Sequence, residues 1–203
     1  AVKPQMMQDA LPTLQAMGGA ETVFLSVAAG ITINTYEDIL GADTPILRAM
    51  PNTPAAIGQG ITALIGNACA TKQHVDLAHA LLSTIGDVVD LQTEAQMDAV
   101  TGVSGSGPAY VFYMIDALAK AGTAQGLSQD LAMQLAKSTV AGAGALAKTA
   151  TETPEQLRIN VTSPNGTTQA GLEVLMDQNA GLTPLIGGTV AAATMRSKEL
   201  SNG

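Results

Sequence analysis

Thr93-Glu-Ala-Gln-Met-Asp-Ala-Val-Thr-Gly-Val-Ser-Gly-Ser-Gly-Pro-Ala-Tyr110 is the stretch on which the fold turns. Ahead of it, helical and strand patterns alternate; beyond it the strand pattern disappears. Working back, the sequence predicts helices over 5–17, 32–40 and 72–84 and strands over 23–27, 46–50, 61–65 and 87–91, the rhythm of an α/β sheet. Working forward, helices are expected over 108–122, 128–148, 154–160, 167–178 and 182–200, with Gly, Pro, Ser or Thr at their starts. The fold class is therefore α/β plus all-α, divided at Glu94 into 1–94 and 95–203.

At 203 residues and 46% hydrophobic, the chain has enough material for one large or two modest cores. Aromatics are only 2% and Trp is absent, so packing relies on Ala, Val, Leu, Ile and nine Met. A net charge of -8 with nine Lys and Arg argues against nucleic acid and anionic membranes, because both need a basic patch. The lone Cys69 forms no internal disulfide and reads more readily as a small buried hydrophobe than as a nucleophile. No secretory signal is visible at Ala1, and the long uncharged stretches 99–115 and 178–195 are interrupted by Gly, Pro or Thr. A soluble, cytoplasmic protein is expected. His74 and His79 are five apart on a helix and share no face, so no metal site is expected, while Asp116 with Lys120 and Arg196 with Glu199 read as solvated ion pairs.

Two hydroxyl- and glycine-rich segments, Thr101 to Tyr110 and Ser163-Pro-Asn-Gly-Thr-Thr168, read as helix openings. A helix N-terminus leaves backbone N–H groups unpartnered and carries partial positive charge, so such an opening can cradle an anion without a cationic side chain. A small carboxylate ligand is expected, with hydroxyls from Ser163 and Thr168 and N–H groups from Gly166 and Thr167. Hydrogen bonds to a charged partner contribute about 1.5–3 kcal/mol each, so two or three would hold it with micromolar to millimolar affinity. Ala141-Gly-Ala-Gly-Ala145 lies inside a helix, where Gly costs roughly 1 kcal/mol against Ala. A neighbouring helix approaching that face, from a second subunit, would explain it.

Ala1-Val-Lys-Pro-Gln5, Val27-Ala-Ala-Gly30, Met50-Pro-Asn-Thr-Pro54, Thr101 to Tyr110, Ser163 to Thr168 and Arg196-Ser-Lys-Glu-Leu200 together resemble the pyrroline-5-carboxylate reductase family, in the family's order. The resemblance implies a partial Rossmann-type dinucleotide-binding domain followed by a helical dimerisation domain. It implies reduction of 1-pyrroline-5-carboxylate to L-proline by hydride from NADPH or NADH, in a homodimer or higher homo-oligomer. By the same resemblance Ala1, Val2, Lys3, Pro4, Val27, Ala28, Ala29, Met50, Asn52 and Thr53 border the cofactor, and Asn160, Ser163, Gly166, Thr167, Thr168 and Glu94 meet substrate. Thr168 would hydrogen-bond the ring nitrogen. The similar β-hydroxyacid dehydrogenases carry a catalytic Lys and an Asn in the helix that Gly102, Gly105 and Gly107 begin; those positions are Val111 and Ile115 here, which favours imine over carbonyl chemistry.

The chain opens on what resembles a loop midway through the family's cofactor domain, and the first third of that domain is expected to lie outside this sequence. Matches to G-x-G-x-x-A at Gly58 to Ala63 and Gly142 to Ala147 lack the strand-then-helix setting of a dinucleotide fingerprint. Asn165 stands where the family commonly has Gly; Asn tolerates a left-handed backbone, so the loop is expected to keep its shape. Several positions carry a plainer alternative. Lys3-Pro4 also reads as a surface turn, Glu94 as a first-turn acid in the capping box Thr93-x-x-Gln96, Ser104 to Pro108 as a simple helix start, and Asn160 as a helix C-terminal residue. A catalytically incompetent fragment or a helical oligomerisation scaffold is the competing function.

Overall fold

The computed structural model describes Val2 and residues 4–201. Four strands form one sheet in chain order, β1 (Phe24–Ser26), β2 (Ile46–Met50), β3 (Gly60–Gly66) and β4 (Gly86–Asp90). β1 and β2 run parallel, as do β3 and β4, while β2 and β3 are antiparallel. Connection length decides the direction. α2 (Ile33–Leu40) and α3 (Lys72–Leu82) lie in crossovers long enough to return the chain in the same sense, whereas 51–59 is too short for one.

β2 is central and buried on both faces. Ile46 joins Met7, Leu11, Ile33, Tyr36 and Leu40 under α2 and α1 (Met7–Thr13), while Leu47 and Ala49 join Leu64, Ala78 and Leu82 under α3. This is the period-two alternation of a strand with both faces covered. Thr32 accepts the Thr35 N–H to start α2, and Thr71 accepts the His74 N–H to start α3.

Beyond the sheet the chain is helical: α4 (Met97–Val100), α5 (Gly107–Ala124), α6 (Gln129–Thr149), α7 (Pro154–Asn160), α8 (Thr167–Leu175) and α9 (Leu182–Ser201). Ser128 and Thr153 cap α6 and α7 by accepting the N–H groups of Leu131 and Gln156. The chain forms two compact units, one containing residues up to Pro108 and from Thr189 onward, the other Ala109–Gly188. In the first, buried Ser197 near the end of α9 donates to Asp98 of α4 at 2.7 Å. In the second, α5 and α6 pack at Ala119, Ala132 and Ala136 and leave a shallow apolar groove between Leu118, Leu127 and Leu135. Among the described residues, no helix is long and apolar enough to cross a membrane.

Candidate functional site

The first unit presents two turns at the carboxyl ends of adjacent parallel strands, where open α/β sheets place ligands. The turn after β1 carries Val27, Ala28, Ala29 and Gly30. Its shape is set from below: the buried Ser26 Oγ accepts the Ala28 N–H at 3.2 Å and pairs with the Tyr36 hydroxyl. Gly30 has φ 75°, a left-handed backbone that glycine adopts without strain, while a Cβ there would make only ordinary contact with Leu200 at 3.4 Å. At the far end of the turn Glu94 Oε1 accepts the Ile33 N–H at 2.8 Å and Arg48 Nη1 at 2.6 Å. An anion placed at the first turn of α2 also suits the helix dipole. The Arg48 side chain is 5% exposed and that of Glu94 27%, so the arginine has little recourse to water. Burial pushes the Tyr36 phenol above its ordinary pKa; its bond to Ser26 and the Arg48 charge oppose this, and the Glu94 charge adds to it.

β2 ends at Met50, and the turn after it carries Asn52 and Thr53. Both ends of the Asn52 amide are engaged: Oδ1 accepts the Ile61 N–H at 3.0 Å, and Nδ2 donates to the Ser104 carbonyl at 3.1 Å. That carbonyl is open because Pro108, four residues on, has no N–H to give it. Met50 reaches Gly105, where a Cβ would come within 2.9 Å of its terminal methyl.

The Thr101 to Tyr110 segment opens α5 at Gly107, close to the expected start, but helical turns and not a loop precede it. A turn over Glu94–Gln96, α4, a π-helical turn over Thr101–Gly105 and α5 follow one another almost without interruption. The Thr101 and Ser104 hydroxyls bond back to the carbonyls of Met97 and Val100, and the Ser106 N–H to that of Thr101. The residues that suggested a free N-terminus instead widen a helix already under way, as π turns do at functional sites. Gly102 lets α9 pack against this turn, since a Cβ there would lie 2.4 Å from Thr194 Oγ1. A partly open cavity of about 270 Å3 lies beside Ala29, Gly30, Thr101 and Ser106, with Ser197 and Leu200 of α9 lining its other side. Pockets that enclose whole ligands run to roughly 300–1,000 Å3, so this one suits a ring-sized portion.

The second unit holds the Ser163 to Thr168 loop. Asn165 adopts φ 58°, the one left-handed residue other than glycine among those described, as its chemistry allowed. The loop tightens by a bond from the Gly166 N–H to the Ser163 carbonyl at 3.0 Å, so that N–H, expected for an anion, serves the turn. A Cβ on Gly166 would approach the same carbonyl to 3.1 Å. Gly166 is the N-cap of α8 and supplies no side-chain cap, which leaves Thr167 and Thr168 as the first N–H groups of the helix. Ser163, Thr167 and Thr168 are exposed. Asn160 ends α7, its Oδ1 accepting from Gln156 at 2.8 Å.

Val27, Ala28, Ala29, Met50, Asn52, Thr53 and Glu94 thus fall in the first unit, and Asn160, Ser163, Gly166, Thr167 and Thr168 in the second. Ala1 and Lys3 lie outside the described residues; Val2 is exposed and Pro4 begins a 3-10 turn. Cys69, expected to be buried, is partly exposed, with its thiol donating to the Ala42 carbonyl at 3.3 Å. The ion pairs Asp116–Lys120 and Arg196–Glu199 form as expected, and His79 pairs with Asp90 at 2.8 Å. Sequence reading missed Ser26, Tyr36 and Arg48. The signal for Arg48 was present: a lone charge inside Ile46-Leu-Arg-Ala-Met50 must find a partner if the strand is central.

Comparison with known proteins bears on the whole chain. The family model described as pyrroline-5-carboxylate reductase dimerisation matches residues 94–200. The chain is 41% identical over 201 residues to pyrroline-5-carboxylate reductase of Pseudomonas aeruginosa, covering 99% of this chain and 73% of that protein. To the Synechocystis pyrroline-5-carboxylate reductase it is 44% identical over 200 residues, covering 98% and 73%. The solved pyrroline-5-carboxylate reductase of Coxiella burnetii aligns at TM-score 0.93 and 37% identity, over 99% of this chain and 74% of that one. Plasmodium falciparum pyrroline carboxylate reductase, solved with NADP bound, aligns at TM-score 0.87 and 29% identity, over 99% and 75%. On the strength of the matched family model and relatives about 40% identical over nearly its full extent, the chain belongs to the pyrroline-5-carboxylate reductase family.

Proposed function

We propose that this protein reduces 1-pyrroline-5-carboxylate to L-proline by hydride transfer from NADPH or NADH, the last step of proline biosynthesis. Within the family, the observation that carries the assignment of roles is the start of α8: an N-terminus without a side-chain cap, flanked by the hydroxyls of Ser163 and Thr168 and shaped by left-handed Asn165. Such a start holds a carboxylate by backbone dipoles, without a cation that would also attract other anions.

The residues of the first unit fit a nicotinamide cofactor. Ala28, Ala29 and Gly30 are small and follow a parallel strand, and Ala29 and Gly30 border the cavity. When bound, the reduced nicotinamide supplies the hydride. Val27, Ala28, Ala29, Met50 and Thr53 would border it, as would Val2 and Pro4 and, beyond the described residues, Ala1 and Lys3. Asn52 shapes that border through Ile61 and Ser104. Glu94 has Oε1 committed to Arg48 and Ile33, which leaves Oε2 for ligand.

Ser163 and the N–H groups of Thr167 and Thr168 hold the substrate carboxylate, with Gly166 closing the loop and Asn160 beside it. Thr168 Oγ1 orients the ring nitrogen. A protonated imine is already electrophilic and its nitrogen becomes neutral on accepting hydride, so no strong acid is required of the chain. Val111 and Ile115 accord with that, being apolar where an alcohol dehydrogenation site would need Lys and Asn. Catalysis is by position, with the proton drawn from solvent.

We assign the dinucleotide-binding role to 1–94 and the helical, dimer-forming role to 95–203; the family model, which begins at 94, supports this. Exposed Phe112, Leu118, Leu135 and Leu146 on α5 and α6, and open space around Gly142 and Gly144, suit a second copy of this chain. A single cysteine and a small metabolite substrate suit the cytoplasm. The test is oxidation of NADPH by the intact enzyme with 1-pyrroline-5-carboxylate. Thr168→Ala should lower kcat at least tenfold while leaving NADPH affinity within about twofold, the pattern of a lost transition-state contact. Unchanged turnover removes Thr168 from the mechanism, and no turnover by the unaltered enzyme favours the scaffold.

A further inference from the structure

We propose that Tyr36 is a positioning residue which, through the Ser26 hydroxyl, holds the turn from Val27 to Gly30 in the shape that receives the nicotinamide end of the cofactor. This rests on the cofactor role assigned to that turn. Tyr36 is 2% exposed on the inner face of α2, among Met7, Leu11 and Ile46. A phenylalanine would fill the same space, so the hydroxyl has a separate reason to be there; in a core, a polar atom is retained only where it finds a partner. Its partner is Ser26 Oγ, which in turn accepts the N–H of Ala28, the second residue of the turn.

Whichever of the two hydroxyls donates, the Ser26 rotor is fixed by Tyr36 on one side and by the Ala28 N–H on the other. Without the phenol oxygen, Ser26 keeps a buried hydroxyl with one partner fewer and is free to turn away from Ala28. The turn then samples other shapes, and the cofactor must select one of them. A phenol with an ordinary pKa near 10 is protonated at working pH, and burial shifts Tyr36 further in that direction, so the link persists. No contact between Tyr36 and cofactor is involved.

The experiment measures NADPH affinity of the intact enzyme by nicotinamide fluorescence, alongside steady-state kinetics and thermal melting, for Tyr36→Phe, Ser26→Ala and the double variant. Tyr36→Phe should raise the NADPH Kd about 3- to 10-fold, the range of one net hydrogen bond, with KM for 1-pyrroline-5-carboxylate within about twofold. Ser26→Ala should do the same, and the double variant should be no worse than the more severe single one, because the two act as one chain of bonds. A folded Tyr36→Phe with lowered melting temperature and unchanged Kd overturns the proposal, as do additive Kd effects in the double variant. If neither single variant folds, the bond serves the fold as a whole, and the proposal is likewise overturned. Ala29→Leu separates this from the site assignment. If a larger side chain on the turn leaves Kd unchanged, the turn does not face the cofactor; if it weakens binding while Tyr36→Phe does not, only the role of Tyr36 fails.

Discussion

Replacing Glu94 with alanine is expected to destabilise the protein by about 3 kcal/mol, and the asymmetry with its partner is the informative part. Glu94 Oε1 accepts two hydrogen bonds, from Arg48 at 2.6 Å and from the Ile33 N–H at 2.8 Å. Bonds to charged groups contribute about 1.5–3 kcal/mol each, and removing one partner of a buried pair costs about 3–5 kcal/mol because the other charge stays behind. The 27% exposure of the Glu94 side chain lets some water reach the site, which places the expectation at the lower end. For a chain of this size, about 3 kcal/mol corresponds to roughly 6–12 °C in melting temperature. Arg48→Met should cost less, about 1 kcal/mol, since Glu94 can rehydrate and still cap Ile33 while the apolar chain fills the space. Arg48→Met with Glu94→Leu should recover much of the loss. Thermal and urea melts at one fixed protein concentration give these values, the concentration being held because assembly shifts apparent stability. Equal losses for Glu94→Ala and Arg48→Met, or a loss below about 0.5 kcal/mol for Glu94→Ala, would refute the view that a buried arginine depends on this carboxylate.

Ser163→Ala should raise KM for 1-pyrroline-5-carboxylate about 3- to 10-fold with kcat little changed, as expected for loss of a bond made equally in ground and transition states; a fall in kcat alone would contradict it. Gly102→Ala should cost about 1–3 kcal/mol, because the new methyl would meet Thr194 Oγ1 at 2.4 Å and the Val190 carbonyl at 3.0 Å; an unchanged melting temperature would mean α9 gives way freely. At Asn165, with φ 58°, Gly should be neutral within about 0.5 kcal/mol, whereas Ala should cost about 1 kcal/mol and raise KM; the same melting temperature and KM for both would show that the left-handed turn is dispensable. Tyr36 holds its proton more tightly folded than unfolded, so its contribution is full below the ordinary tyrosine pKa near 10 and is lost as pH rises above it. Alkaline melts should show a decline in the unaltered protein that Tyr36→Phe lacks; identical alkaline curves would contradict the buried-phenol assignment.

Much of the architecture was legible because periodicity reports it directly. The strands at 23–27, 46–50, 61–65 and 87–91 all appear, each within a residue or two of its expected bounds, since apolar runs between turn residues have few alternatives. Hidden from the sequence was anything that depends on what packs against what. Ser104 to Pro108 carries every local mark of a helix start and α5 does begin at Gly107, but the helical turns ahead of it, where Gly102 lets α9 approach and Asn52 fills the carbonyl that Pro108 cannot, were not readable. Local rules cannot see a partner donated from fifty residues away. The pairing of Arg48 with Glu94 was hidden the same way: 46 residues separate them, and only the sheet brings the strand charge to the acid. The α8 loop was more readable because it is built from its own neighbours, Ser163, Asn165 and Gly166, though the bond from the Gly166 N–H to the Ser163 carbonyl was not foreseen.

The central claim, that the start of α8 holds the substrate acid, is tested most directly by a crystal structure of the intact enzyme with NADP and a proline analogue bound. The account predicts the analogue's carboxylate about 3 Å from the backbone nitrogens of Thr167 and Thr168, with the Ser163 hydroxyl donating to it and Thr168 Oγ1 facing the ring heteroatom. A carboxylate bound elsewhere, with the Ser163 to Thr168 loop free of ligand, would contradict it.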